Sequence, residues 1–229
     1  MSMNLDIQEE RPSSHLSPKE VYHRLVDDIN AHSLHSIFPM DEQEQHTIPA
    51  SGGGSGSGSG GGVSLRPLQL SDVDDFMVWA SDPDVARFCR WEPYTSRDDA
   101  LAYIAGTVLP HPYFMAICLD GRPVGAVTVT RNEAASEACR GELGYVLGSA
   151  CWGRGIVTEA VRMAVAEVFG GGRPELERVE AVVDVENKAS QRVLEKAGFR
   201  REGVLRKYYV LKGRTRDAFM FSRLSTDTD

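Results

Sequence analysis

From residue 63 onward the chain predicts a mixed α/β sheet. Three observations carry that reading. Short runs rich in Val, Ile, Phe and Tyr recur with turn residues between them. Helical segments open on a serine followed by acids. One strand–helix–strand run, 141–185, is long enough to form a crossover between parallel strands.

The elements follow in order. Residues 63–70 alternate as a first strand, and Ser71 with Asp72, Asp74 and Asp75 predicts a helix start leading to Phe76, Val78 and Trp79. Asp82-Pro83 breaks that helix, and Ser96 with Asp98 and Asp99 repeats the capping signal for a second one over 100–109. Strands 113–119 and 124–130 flank Asp120-Gly121-Arg122-Pro123, a hairpin signal. Residues 141–147 make a strand, 156–169 a helix of small and apolar residues, 178–185 a Val-rich strand, and 189–197 a short helix. Strands 203–211 and 216–224 close the domain around Lys212-Gly213.

Residues 51–62 read SGGGSGSGSGGG and divide the chain. With no apolar anchor, charge or turn logic, such a tract reads as a flexible joint made by design between two polypeptides. On one side lie residues 1–50, and on the other the 167 residues from Val63, ample for one core. Net charge is −8 overall, and three basic against nine acidic residues place −6 of it in 1–50. Neither half has the basic footprint of a nucleic-acid binder. No signal peptide or membrane-spanning stretch is visible, and the four cysteines, Cys89, Cys118, Cys139 and Cys151, show no CxxC spacing. The expectation is an intracellular protein, cytoplasmic or nuclear, with no metal.

In the acidic segment, Ser17-Pro18-Lys19-Glu20 is a capping box with proline in the first turn. It opens a predicted amphipathic helix over 18–31, whose stripe is Val21, Leu25 and Ile29. Phe38 follows, before an acidic run, Asp41–Glu44. An isolated helix this short is marginal in water, so its stripe wants a partner surface. A tail with accidental amphipathicity is the plain alternative. A tether raises the effective concentration of whatever it joins, which favours a peptide ligand docking on the domain through Val21, Leu25, Ile29 and Phe38. His32 and His35 have i, i+3 spacing but no carboxylate or thiol at ligand spacing, so they read as polar-face residues.

The chemistry concentrates at the crossover. Trp152-Gly153-Arg154-Gly155-Ile156-Val157 runs from a strand end into a helix N-terminus. Glycines let successive N–H groups converge, and the helix dipole adds positive charge, which suits phosphate oxygens. Together with GELGYVL (141–147), RVEAVVDVENKASQRVLEKAGFRREG (178–203) and YYVLKGRTRDAFMFS (208–222), this stretch resembles the GNAT superfamily of N-acetyltransferases. The nearest branch is the acetyltransferases of ribosomal-protein N-termini and their plant relatives. The resemblance covers 63–229 and leaves 1–50 outside it.

It implies a GNAT acyl-CoA N-acyltransferase fold preceded by a tethered peptide, with acetyl-CoA as cosubstrate and an amine, a protein N-terminus or a lysine, as acceptor. Trp152, Gly153, Arg154, Gly155, Ile156 and Val157 map to the pyrophosphate grip, and Val157 stands where the branch usually has Ala. Tyr145, Val146 and Leu147 map to a strand that splays from its neighbour, often at a bulge, and pairs with pantetheine. Asn187 and Ser190 line the reactive end of the cosubstrate, and Phe199 packs beneath it. Ser190 is the candidate proton donor to the departing thiolate, and Glu142 the candidate base through a water, or else a solvated strand carboxylate. Of Tyr208 and Tyr209, alternatives to Glu142, one is expected to face the acceptor and the other to pack. The competing function is a catalytically weak GNAT-fold interaction module that binds 1–50.

Overall fold

The computed structural model describes residues 62–132, 134–172 and 176–227. The helix expected over 18–31, the docking stripe Val21, Leu25, Ile29 and Phe38, and the tract 51–61 lie outside the described residues. In chain order the main elements are β1 (Val63–Pro67), α1 (Val73–Ala80), α2 (Pro83–Ala86), α3 (Arg97–Tyr103), β2 (Phe114–Leu119), β3 (Arg122–Arg131), β4 (Arg140–Leu147), α4 (Ile156–Glu167), β5 (Arg178–Asp184), α5 (Lys188–Lys196), β6 (Arg200–Leu211) and β7 (Arg214–Leu224). The strands form a single seven-stranded sheet in the order β1-β2-β3-β4-β5-β7-β6. Only β4 and β5 pair in parallel, and α4 is the crossover between them.

Each face of the sheet carries a core. On one, Ile156, Ala160, Val161, Ala164 and Val165 of α4 and Leu194 of α5 pack on Val127, Val129, Leu143, Val179, Ala181 and Phe221. On the other, Phe76 and Trp79 of α1 and Ala100 of α3 pack with Leu68, Ile104, Ala116 and Cys118. Alternation along a strand therefore assigns sides: Leu143 and Leu147 of β4 face α4, and Val146 faces α1 and α3.

The first helix starts differently from the sequence expectation. Ser71 does not cap it. A 3-10 turn, Leu70–Asp72, comes first, and the buried Asp72 carboxylate accepts the Gln69 N–H at 2.8 Å and both Arg66 guanidinium nitrogens at 2.7 and 2.8 Å. Ser96 caps α3 as read, its Oγ accepting the Asp99 N–H at 3.2 Å. Ser81 is the C-cap of α1, and Asp82 caps the short α2, accepting from the Asp84 N–H at 2.8 Å. Beyond α4 the backbone continues as a π segment, Val168–Gly172, with Gly171 at φ 129°. Among the described residues, no helix is long and apolar enough to cross a membrane, and no cluster of His, Cys, Asp and Glu is placed to hold a metal.

Candidate active site

Two irregularities at the sheet centre build the site. The first is the turn before α4. Gly153 and Gly155 adopt φ of 75° and 80°, left-handed values that any Cβ would strain, and nothing else lies within 4 Å of where a Cβ would stand. Their glycines serve conformation and openness, and close packing plays no part. Gly155 is the N-cap, with no side-chain cap, and the first bond of the helix runs from Glu159 N–H to Gly155 C=O at 3.1 Å. The N–H groups of Ile156, Val157 and Thr158 therefore precede the ladder and point out of the helix end. Val157 itself is buried against the α4 core, so its branched side chain faces inward and its N–H stays at the turn. Trp152, half exposed, is held across the turn by an Nε1–H bond to the Leu147 carbonyl at 2.8 Å.

The second irregularity is a split in the sheet. Strands β4 and β5 pair only at Arg140–Arg178, Gly141–Val179 and Glu142–Glu180. Beyond Glu142 each strand keeps its outer partner: β4 stays with β3 through Leu147, and β5 stays with β7 through Asp184. The facing edges of Tyr145, Val146 and Leu147 thus diverge from β5, as expected. No bulge causes this, because the β3–β4 register runs without a step from Gly125–Leu147 to Arg131–Gly141.

At the mouth of the split, α5 supplies the polar groups. Asn187 Oδ1 accepts the Ser190 N–H at 3.1 Å, so Asn187 is the N-cap that sets the first turn of α5. Ser190 Oγ lies 2.5 Å from the Tyr145 hydroxyl, which also donates to the Ser190 carbonyl at 3.1 Å. Burial pushes the Tyr145 phenol above its ordinary range, which the bond to Ser190 only partly offsets. Phe199 is buried in the α4-side core.

Glu142 faces the other way, toward the side of α1 and α3. Burial raises its carboxyl above the usual range, against the opposing charge of Arg90 and with the like charge of Glu180. Glu180 is itself gripped by Arg140 and, at 2.8 Å, by Arg178. Tyr208 is raised chiefly by burial and next by the charges of Glu142 and Glu180, so the candidate base acts on it through its charge. The strand before Tyr209 is not plain. Leu205 pairs with Ala218 and Tyr209 with Arg216, so Arg206, Lys207 and Tyr208 all bulge opposite Asp217. Lys207, at φ 49°, anchors the bulge by donating its N–H to Asp217 at 2.7 Å. The two tyrosine rings meet edge to face at 6.4 Å, and Tyr209 donates to Asp184 at 3.1 Å beneath the Arg90 guanidinium.

Asp184, Arg216 and Arg90 are site residues that sequence reading missed. Burial alone raises the Asp184 carboxyl, but the Arg216 guanidinium at 2.7 and 2.8 Å, the Glu186 N–H and Tyr209 outweigh it and hold it below the usual range. Arg216 also pairs with Glu186 at 2.6 Å, which locks the end of β5 to β7. A buried Asp closing a Val-rich strand was the available signal. The structure thus brings Tyr145, Asn187 and Ser190 together on the α5 side, and on the other Glu142 acts on Tyr208 through its charge. The turn 152–157 borders the same strand end, Leu147.

An uncapped helix end with outward N–H groups, a turn open to solvent and a strand edge released from its neighbour fit a long ligand carrying phosphates at one end and amide groups further along. The family comparison points the same way. The profile of the acetyltransferase (GNAT) domain matches residues 63–200, and the chain belongs to that family. It is 32% identical over 171 residues to a Bacillus licheniformis protein named uncharacterized N-acetyltransferase p20, covering 72% of this chain and 94% of that one. It is 35% identical over 162 residues to a Bacillus subtilis protein named uncharacterized N-acetyltransferase YoaA, covering 69% of this chain and 90% of that one. The fold is shared with spermidine N-acetyltransferase from Vibrio cholerae, solved with CoA and spermine (TM-score 0.61, 19% identity, 72% of this chain and 96% of that one).

Proposed function

We propose that the chain is an acetyl-CoA-dependent N-acetyltransferase acting on an amine. The observation that carries this is the split between β4 and β5 beside the open glycine turn of α4. The family and the relatives named N-acetyltransferases support the reaction class. The resemblance to the ribosomal-protein branch makes a protein N-terminus or a lysine the acceptor.

Trp152 to Val157 hold the pyrophosphate through backbone N–H groups, and the free edge of Tyr145–Leu147 holds the pantetheine arm. Bound acetyl-CoA supplies the thioester. The amine nitrogen forms the new bond to the acyl carbon, the carbon–sulfur bond breaks, and the chain manages two protons. Glu142 accepts the amine proton through a water, aided by a carboxyl already less acidic than usual. Ser190 Oγ donates to the departing sulfur. The single Tyr145 hydroxyl proton goes to Ser190 Oγ or to the Ser190 carbonyl; in the first arrangement the serine proton is left free to point at the sulfur, which makes Tyr145 a positioning residue for that step. Residues 1–50 act as a tethered ligand of the domain, a reading that rests on the Gly/Ser tract and the predicted apolar stripe.

Calorimetry of the full chain with acetyl-CoA, followed by thiol release in the presence of peptides bearing free N-termini or lysines, tests the enzyme reading. Saturable binding and peptide-dependent thiol release are expected. Absent acetyl-CoA binding overturns it.

A further inference from the structure

Charge on the domain is placed unevenly. Residues 63–229 carry 22 basic and 24 acidic side chains, yet 200–216 hold seven basic residues against a single acid, Glu202. This stretch is β6, the edge strand, with the turn into β7. Nine of the twelve residues of β6 are exposed, Val204 and Val210 among them at 53% and 65%. Some of the cations are committed: Arg200 to Asp227, Lys212 to Glu92, Arg216 to Asp184 and Glu186, and Arg201 over the Phe219 ring. Arg206, Lys207 and Arg214 form no ion pair among the described residues.

Edge strands are commonly guarded by charge, but a few lysines or mixed signs suffice for that. Those three cations and the exposed valines, with Asp217 the nearby acid at the bulge, leave a positive, partly apolar strand at the edge of the sheet. The same chain carries a complement. Residues 1–50 bear nine acids against three bases, with Asp41, Glu42 and Glu44 clustered 19 to 22 residues before Val63. A Gly-rich chain of that length has an r.m.s. reach of roughly 25 Å. Six strand spacings separate β1 from β6, which is about 29 Å at ~4.8 Å each. The acidic run can therefore reach the far edge of the sheet.

We propose that the acidic segment docks along the β6 edge, with Asp41, Glu42 and Glu44 against Arg206, Lys207 and Arg214. This rests on reading 1–50 as a tethered ligand and adds where it binds. The four lysines of the domain provide the test, since Lys207 and Lys212 lie on the β6 hairpin and Lys188 and Lys196 on α5. The full chain is treated with a carbodiimide, which joins a carboxylate to a neighbouring lysine amine, and the products are mapped by mass spectrometry. Links from Asp41, Glu42 or Glu44 to Lys207 are expected, with yields independent of protein concentration. They should fall at least about five-fold in 1 M salt, where the screening length is about 3 Å. Arg206→Glu with Arg214→Glu should lower them similarly, while the Lys212–Glu92 link within the domain persists as the folding control. Segment links shared evenly with Lys188 and Lys196 overturn the β6 placement and leave the tethered-ligand reading standing. Segment links that grow with concentration assign the contact to a second copy and overturn the placement within one chain. No segment link to any lysine, with the Lys212–Glu92 link present, overturns both.

Discussion

Tyr145→Phe removes one oxygen and separates positioning from packing at Ser190. The ring stays, packed on the α4-side core, so no cavity opens. What is lost is the pair of contacts to Ser190, Oγ at 2.5 Å and the carbonyl at 3.1 Å. Each hydrogen bond contributes about 0.5–1.5 kcal/mol net. Ser190 is half-buried and can turn to water, so the lower end applies and the total is about 1–2 kcal/mol. For a domain of this size that lowers Tm by roughly 2–8 °C. Burial keeps the wild-type phenol protonated well past neutral pH, so the contact is present throughout any working range. If Ser190 supplies the proton to the leaving sulfur, kcat falls about ten-fold, equivalent to ~1.4 kcal/mol of orientation, with KM for acetyl-CoA unchanged. Ser190→Ala, which removes the donor itself, falls by about 10²–10⁴. The assay is thiol release with kcat and KM resolved, beside thermal unfolding of the same samples. A Tyr145→Phe protein that loses the expected stability but keeps its full kcat refutes the positioning role, and an active Ser190→Ala refutes the donor assignment.

Further outcomes follow from the same geometry. Gly155→Ala should cost about 1–2 kcal/mol of stability from the left-handed backbone and weaken acetyl-CoA binding by calorimetry. Gly170→Ala, equally free of neighbours but without positive φ, should leave binding untouched. Glu142→Gln should abolish the acidic limb of the kcat/KM profile. In the wild type that limb lies above the ordinary carboxylate range because the base must be ionised and burial raises its pKa, so activity is lost as pH falls through the raised value. Glu202, brought down to about 2 by Arg178 and then Ser222, contributes stability that is present above the ordinary carboxyl pKa near 4.5 and lost as pH falls toward 2. Arg178→Gln should therefore shift the acid-unfolding midpoint upward, as followed by circular dichroism.

Local signals made much of this protein legible. All seven strands fall where β-patterned runs lie, Ser96 caps its helix, and the glycine turn opens α4. What escaped reading depends on contacts beyond the helix or strand in which each residue sits. Ser71 has the right side chain for a cap, but Arg66 and Gln69 draw Asp72 into that place from the neighbouring strand end. Tyr145 meets Ser190 across 45 residues and Asp184 meets Arg216 across 32, and no spacing rule joins such pairs before the sheet order is known. Arg90 sits in a loop without periodicity, and its place is set by its contacts with residues far along the chain, the Tyr209 ring among them.

The tyrosine pair shows how far a local rule carries. A period of two assigns Tyr208 and Tyr209 to opposite faces, so one must pack while the other serves the site. That holds only if each residue of β6 has one partner on β7. Here three residues stand against Asp217, and the extra length is taken up where Lys207 turns left-handed. Both rings lie within reach of the charged groups at the split. Tyr209, bonded to Asp184, becomes part of the wall, and Tyr208 is left under the charge of Glu142. The bulge therefore does for β6 what the lost pairing does for β4: each departs from sheet regularity on one side of the same opening. Deleting Arg206 and Lys207, which leaves Tyr208 alone against Asp217, should return Tyr208 and Tyr209 to opposite faces. It should cost activity while leaving β5–β7 pairing intact, because that ladder does not pass through the bulge.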